Sequence, residues 1–567
     1  MSDVILSERN PLVPLDHARI PTPRIKLGIV VGGSLNEGLL VKLDRDTYIE
    51  GLTVGSYVTI DGQTDRKFIG LITDIRLAAT DENIQKMPPE LDEFITRIYR
   101  GITVFGVLNV KPMLVLEHSN PEPKPVKTVP THFTIAYHST PEEVQAIFAA
   151  EEKQSYRIGA SVDDANIKIS LDLQRFIERS SAIFGRSGTG KTFMALPLVA
   201  NIIKSDIASV LIFDMHNDYG YRLKGDQGRF YKGLKDLTRI SSHIEIVTLD
   251  EQSSHRRETS YEFAFSIGYD QIEPEDLEML RDLLGLSEVQ VNAFFALEHR
   301  FPKNWVERLM SNTIDEDIQA MIEESQLTAG TYGAMQRKLK RLLSFGFIKP
   351  AVAEHFTQRI VDSLSRGNSI VVEFGRYGDD TAAYVFVSNF LTRRIHRRYV
   401  EMKETAEASS AKGDAAELRK LVIAVEEAHK FLDPAVAGLT IFGTIAREMR
   451  KYNVTLLIID QRPSQIDSEV MSQIGTRITC ALSDEKDIAA VFTGMSGAQQ
   501  LRSVLASLDS KQQALVMGHA VPMPVVISTR EYGPDVYAEF STAVITPSEQ
   551  HARNMAKLGR SDDEGLV

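Results

Sequence analysis

Eight consecutive residues, Gly185-Arg186-Ser187-Gly188-Thr189-Gly190-Lys191-Thr192, combine glycines, a lysine and a hydroxyl in an order that suits one task. The glycines let backbone N–H groups wrap an anion, Lys191 can reach terminal phosphate oxygens, and Thr192 can offer its hydroxyl to magnesium. An apolar run, Ser181–Phe184, precedes the octet and a helical run, Thr192–Ile203, follows it, which is the strand-to-helix setting such a loop needs. Pro197 stands inside that helix and should remove a hydrogen bond and kink the axis. The octet predicts ATP binding, with Gly185, Arg186, Ser187, Gly188, Thr189, Gly190, Lys191 and Thr192 all in the cradle.

Hydrolysis also needs an acid beside magnesium and a group that positions the attacking water. The buried-strand pattern Leu421–Val425 ends in Glu426-Glu427-Ala428-His429. Strand alternation turns the two carboxylates in different directions, which assigns Glu426 to the Mg2+ shell and Glu427 to the water. His429 either contacts the γ-phosphate or packs. A second apolar run, Thr455–Ile459, ends in Asp460-Gln461-Arg462-Pro463, and the Gln461 amide at that tip can sense the γ-phosphate or the water. Between the two runs, Ala446–Tyr452 is a basic helix end; Arg450 there either compensates the helix dipole or reaches a neighbouring subunit's site as an arginine finger. The expected catalytic set is Lys191, Glu427, Gln461 and Arg450, and the expected metal ligands are Thr192 and Glu426.

These groups belong to a stretch, from about residue 155 onward, in which apolar runs of strand length alternate with helical segments: Ala182–Phe184, Val210–Phe213, Ile244–Leu249, Ser369–Phe374, Leu421–Val425, Thr455–Ile459 and Arg477–Leu482. Continuous apolar runs mark strands buried on both faces, so the pattern predicts an α/β domain with a mostly parallel sheet. Charged helices interrupt it at about 268–365, a helical insertion, and Glu404–Ala416 reads as a solvent loop. Upstream, residues 25 to about 138 carry short strands and turn residues such as Gly32-Gly33 and Asp61-Gly62, which predicts a small β-barrel. Pro121–Pro125 reads as an extended connector, and Ser139-Thr140-Pro141-Glu142-Glu143 as the cap of a helix entering the second domain.

The chain has 567 residues and a formal net charge of −13, so any nucleic-acid contact must be local, as in a pore lined by a few cations. Candidates are Arg337-Lys338-Lys340-Arg341, Arg393-Arg394-Arg397-Arg398, and the loop Tyr219–Lys235 with Arg222, Lys224, Arg229 and Lys232. The first two read best as solvated or acid-paired helix faces, and the loop as the better pore element. The single cysteine, Cys480, rules out an internal disulfide and reads as a buried strand residue. The opening MSDVILSERN lacks a charged head followed by an apolar core, and no run is long enough to span a membrane, so a cytoplasmic location is expected.

Taken together, the barrel, G-R-S-G-T-G-K-T, F-D-M-H-N-D-Y, V-E-E-A-H-K-F, A-R-E-M-R-K-Y and D-Q-R-P-S resemble the HerA family of hexameric DNA-translocating ATPases over essentially the whole chain. The resemblance implies a RecA-like P-loop ATPase core, residues 139–545 with its helical insertion, preceded by the barrel, 1–138, and followed by a tail, 546–567. It further implies a homohexamer that drives double-stranded DNA through its pore. The barrel would dock a NurA-type nuclease or another effector enzyme, for DNA repair or antiviral defence. The family's frequent acidic doublet is matched by Glu426-Glu427. Asp214, His216 and Asp218 fall in the stretch that often reads D-P-H-G-E-Y, with Met215 at the usual proline and Asn217 at the usual glycine. Arg179 matches a second arginine thought to act across the interface. Two other readings stay open: an ATP-dependent scaffold that activates an effector with little translocation, and an FtsK-type or conjugative pump.

Overall fold

The computed structural model describes residues 24–63, 66–81, 84, 99–117, 120–148, 154–225, 228–311, 313–410, 418–495, 498–509 and 512–541. Seven strands come first: β1 (Lys26–Ser34), β2 (Gly38–Leu43), β3 (Tyr57–Asp61), β4 (Arg66–Ala79), β5 (Val104–Glu117), β6 (Asn120–Pro125) and β7 (Ile135–His138). Six of them close in the order β1-β2-β5-β4-β3-β7, with every neighbouring pair antiparallel. Closure removes the sheet edges and leaves an interior filled by Val30, Val41, Val58, Ile72, Leu108 and Val110. The proline-rich Pro121–Pro125 segment is not a free connector. It pairs with β5 beyond the stretch that β2 occupies, as an edge strand, where a proline's missing N–H costs least.

The chain leaves the barrel through the helix Pro141–Ile147, whose Thr140–Glu143 capping box satisfies its first donors. Glu143 also accepts from Thr59 at 2.8 Å and Lys67 at 2.9 Å, so the cap stitches helix to barrel. Ile69, Leu71 and Leu114 of the barrel join the same buried cluster as Val144 and Phe148, making the apolar core continuous between the two parts.

Beyond the barrel run β8 (Ser155–Ser161), β9 (Lys168–Asp172), β10 (Ser181–Phe184), β11 (Ser209–Asp214), the hairpin β12 (Leu223–Lys224) and β13 (Phe230–Tyr231), β14 (Ile244–Thr248) and β15 (Phe263–Ala264). The pair β16 (Ile267–Gly268) and β17 (Ile348–Lys349) is followed by β18 (Ser369–Glu373), β19 (Leu421–Glu426), β20 (Val454–Asp460), β21 (Thr476–Cys480), β22 (Gln513–Gly518) and β23 (Val525–Thr529). One twelve-stranded sheet has the order β15-β14-β18-β11-β19-β20-β10-β21-β22-β23-β8-β9. The strands from β15 to β21 in that order are parallel, and the remaining four are antiparallel. Every residue of β10, β11, β18, β19, β20 and β21 is buried, the physical reason their sequences read as unbroken apolar runs. With β10, β11, β19, β20 and β21 numbered one to five in chain order, the sheet read from β21 runs five, one, four, three, two, the RecA-like arrangement.

Helices between Pro274 and Leu343 make the insertion, which the short β16–β17 pairing closes at its base. The Pro274–Leu286 segment divides into two short helices, Pro274–Glu278 and Arg281–Leu284, ended by Gly285 in the left-handed region. The first part of the expected solvent loop Glu404–Ala416 is corrected: the helix Thr381–Ser410 covers residues 404–410, as their alanines and glutamates favour. Residues 411–416 and the tail 546–567 lie outside the described residues.

Candidate nucleotide site

Because β10, β19 and β20 are parallel, their carboxyl ends lie on one edge of the sheet, the usual place for a ligand in such folds. Register aligns Phe184 with Asp460 and Glu426 with Ile459, so the loop after β10 and the polar ends of β19 and β20 converge. Gly188 and Gly190 of that loop have φ of 77° and 90°, a conformation that side chains resist and that turns the chain sharply into the helix Lys191–Lys204. Lys191 folds over the loop, donating to the carbonyls of Gly185 at 2.8 Å and Arg186 at 3.3 Å. Burial lowers its pKa, opposed by the nearby charges of Glu427, Cys480, Asp460 and Glu426. Cys480 is buried, with its Cβ where a side chain on Gly185 would collide. The helix continues through Pro197, whose carbonyl accepts from the Asn201 amide at 2.8 Å.

The two glutamates take separate environments. Glu426 is 8% exposed and receives the Tyr219 hydroxyl on Oε1 at 3.0 Å, while Oε2 is buried with no hydrogen-bond partner among the described residues. Burial, reinforced by the charge of Asp214, pushes its pKa up to about 8. An orphaned carboxylate oxygen beside a phosphate cradle is a donor that a hard divalent cation would satisfy, so the residues fit Mg2+. Glu427 leaves the strand in the left-handed region, φ 47°, and its two oxygens lie 3.1 Å from the Gln461 amide nitrogen. Such a backbone costs on the order of 1–3 kcal/mol for a non-glycine residue and is tolerated where function needs a side chain re-aimed.

His429 packs through a defined contact: its Nδ1 lies 3.0 Å from Oδ2 of buried Asp460, and its backbone N–H donates to the same oxygen at 2.7 Å. The Asp460 hydrogen bond raises the imidazole pKa against the effect of burial. Sequence reasoning placed weight on Gln461 and passed over Asp460, although Asp460 orients both His429 and, through the Arg462 N–H at 2.7 Å, the loop that carries Gln461.

Tyr219 was also missed. Asp214 accepts the N–H groups of Asp218 and Tyr219 at 2.8 Å and Gly220 at 3.4 Å, folding the turn that aims Tyr219 at Glu426. Burial and the charge of Glu373 raise Asp214 to about 7. Asn217, at the family's usual glycine, adopts φ 60°, and its side-chain carbonyl accepts the Gly375 N–H at 3.1 Å. Asparagine tolerates that region, so the turn survives the exchange. The signal in the sequence was the aromatic that closes F-D-M-H-N-D-Y.

Other expected groups lie elsewhere. The backbone of Arg450 sits on the 3-10 turn Met449–Tyr452, while its side chain lies outside the described residues. Arg179 is exposed and packs over Gly475. Arg393, Arg394 and Arg397 are acid-paired with Glu273 and Asp276, and Lys338 binds Gln290 at 2.8 Å. The loop 219–235 is a hairpin whose Phe230 is 63% exposed.

The sheet order, the phosphate loop and the polar strand tips define a RecA-like P-loop ATPase carrying an N-terminal barrel. The HAS barrel domain model matches residues 27–108, and the model of the central domain of helicase HerA matches residues 156–395. In both its barrel and its core the chain is thus similar to the HerA family. It is 23% identical over 553 residues to the DNA double-strand break repair helicase HerA of Saccharolobus solfataricus, covering 94% of this chain and 99% of that one. The protein of the same description from Sulfurisphaera tokodaii is 22% identical, covering 89% and 93%. Among solved structures, the bacterial conjugative coupling protein TrwB matches with a TM-score of 0.44 and 10% identity, covering 70% of this chain and 94% of that one. Among the described residues, no helix is long and apolar enough to cross a membrane.

Proposed function

We propose that the chain is an ATP-driven double-stranded DNA translocase or helicase that works as a homohexameric ring and powers a partner nuclease of the NurA type or another effector docked on the barrel. The observation that carries the motor reading is the Glu427–Gln461 pair, held at the mouth of the phosphate loop by a strained backbone. In this reading the N–H groups of Gly185–Thr192 and the Lys191 ammonium hold the phosphates. Thr192 and Glu426 would hold Mg2+, which supplies charge neutralisation at the β- and γ-oxygens. Glu427 orients and polarises the water. Gln461, one strand away, releases or regains Glu427 as the γ-phosphate comes and goes, and so reports hydrolysis to the sheet. Arg450 completes the neighbouring subunit's site. The relatives' descriptions as DNA double-strand break repair helicases support DNA as the cargo.

The hairpin with Arg222, Lys224, Arg229 and Lys232 is the element we assign to the DNA, because its cations sit beside an exposed aromatic on the chain segment that leaves Tyr219. The test is ATPase rate with and without linear duplex DNA. Stimulation by duplex in the wild type, lost in Glu427→Gln, is expected. A Glu427→Gln variant that keeps the partner fully active would defeat the motor reading in favour of the scaffold.

A further inference from the structure

Next to the phosphate loop lies a cleft of 410 Å³ that the assignments above leave without a role. Its floor includes Thr189 and Gly190 of the loop and Phe193 of the following helix, so it is continuous with the phosphate cradle. Its walls are aromatic. Phe193 lies 4.6 Å from the Tyr231 ring and 6.2 Å from the Tyr532 ring, and Tyr231 and Tyr532 are stacked at 6.5 Å. Buried Tyr156 lines the same space. The volume falls within the range of about 300–1,000 Å³ that small-ligand sites occupy.

We propose that this aromatic cleft holds the base of the bound nucleotide and that it recognises a purine by stacking without distinguishing adenine from guanine. The proposal deepens the ATPase reading and rests on it. Discrimination between the two purines needs buried polar groups facing the base edge, because only an unpaired buried group penalises the wrong partner strongly. Most polar side chains here do not meet that need. Gln512 and Glu531 are exposed, Thr529 is part-exposed, the Thr189 hydroxyl donates to the Arg186 carbonyl at 2.8 Å, and the Arg530 charge is met by an ion pair with Glu539 at 2.7 Å. The Tyr532 hydroxyl donates to the carbonyl of Lys232 at 2.8 Å, tying the cleft wall to the hairpin and leaving only the ring to meet the base. Stacking surfaces accept any base with a π-face of sufficient area. Tyr231 belongs to the hairpin assigned above to DNA, so one wall of the base site and the DNA-contacting element are the same piece of chain.

The experiment is competition against a fluorescent purine nucleoside triphosphate, 2-aminopurine riboside triphosphate, using the full chain with Mg2+. ATP and GTP are expected to compete within about tenfold of each other, and inorganic tripolyphosphate more weakly. Phe193→Leu and, separately, Tyr231→Leu are expected to weaken ATP and GTP by about tenfold and leave tripolyphosphate unchanged, which also verifies that the phosphate loop is folded. Unchanged ATP affinity in both variants, an equal loss for tripolyphosphate, or a preference for ATP over GTP beyond about a hundredfold in the wild type would each overturn the proposal. Failure of the wild type to bind or hydrolyse any triphosphate would instead strike the ATPase reading beneath it.

Discussion

The phenolic hydroxyl of Tyr219 donates to Oε1 of Glu426 at 3.0 Å, which joins the turn after β11 to the acid at the end of β19. Both ends of the hairpin 219–235 are pinned at this point, since Leu234 N–H donates to the Tyr219 carbonyl at 2.8 Å and Lys235 N–H to that of Gly220 at 2.9 Å. The residue assigned to the metal and the loop assigned to DNA are thus one hydrogen bond apart. Tyr219→Phe should keep the fold and remove the donor. A hydrogen bond to a charged group contributes about 1.5–3 kcal/mol. The Mg2+ concentration giving half-maximal ATPase should accordingly rise about tenfold or more, measured by titrating Mg2+ at saturating ATP. An unchanged Mg2+ dependence would separate Tyr219 from the metal site.

The Gln461 amide donates to Glu427, reaching both carboxylate oxygens at 3.1 Å. Its role in this reading lies in the transition state. Gln461→Ala should lower kcat about 10–100-fold with little change in KM for ATP, whereas loss of binding alone would raise KM and spare kcat. Steady-state ATPase kinetics give the split.

Arg450 is assigned to a neighbour's site, and mixed rings test that. Arg450→Ala and Glu427→Gln subunits each lack a different component, so mixing should restore hydrolysis at interfaces that pair an intact Arg450 with an intact Glu427. ATPase that stays at the level of the separate variants at every mixing ratio would place Arg450 in its own subunit's structure.

Two buried acids titrate near neutrality: burial chiefly holds Glu426 near 8 and Asp214 near 7, above the ordinary carboxylate range. Their raised values mean that the folded chain holds more protons than the unfolded one between about pH 4.5 and 8. Stability therefore falls as pH rises through that window, by at most about 1.4 kcal/mol per pH unit for each group. Thermal melting from pH 5 to 8 should show the decline. Glu426→Gln should flatten part of it, and saturating Mg2+ with a non-hydrolysable ATP analogue should raise Tm most at the alkaline end, where Glu426 is ionised.

Asp276 is fully buried between Arg393 at 2.6 Å and Arg394 at 2.9 Å. This ion cluster anchors the insertion to the helix Thr381–Ser410. Asp276→Ala leaves two part-buried guanidinium groups without that partner and should cost about 3–5 kcal/mol, read from denaturant unfolding. Arg397→Ala, by contrast, should leave the salt dependence of DNA binding unchanged.

The sequence by itself determined the phosphate loop, the acidic doublet at a strand end and the alternation of barrel and α/β textures. Each is a local pattern: glycine freedom at fixed spacing, or an apolar run long enough to be a strand buried on both faces. Only the tertiary structure decided which polar groups meet. Tyr219 and Glu426 are 207 residues apart and Asp460 and His429 are 31 apart, and parallel register brings each pair together. The same holds for the basic clusters, where charge is visible in the chain but pairing with Glu273 and Asp276 is a property of the packed insertion. Pairing energy depends on distance and burial, which no spacing along the chain encodes. That is why the chemistry of the loop was legible at once and the support around Glu426 was not.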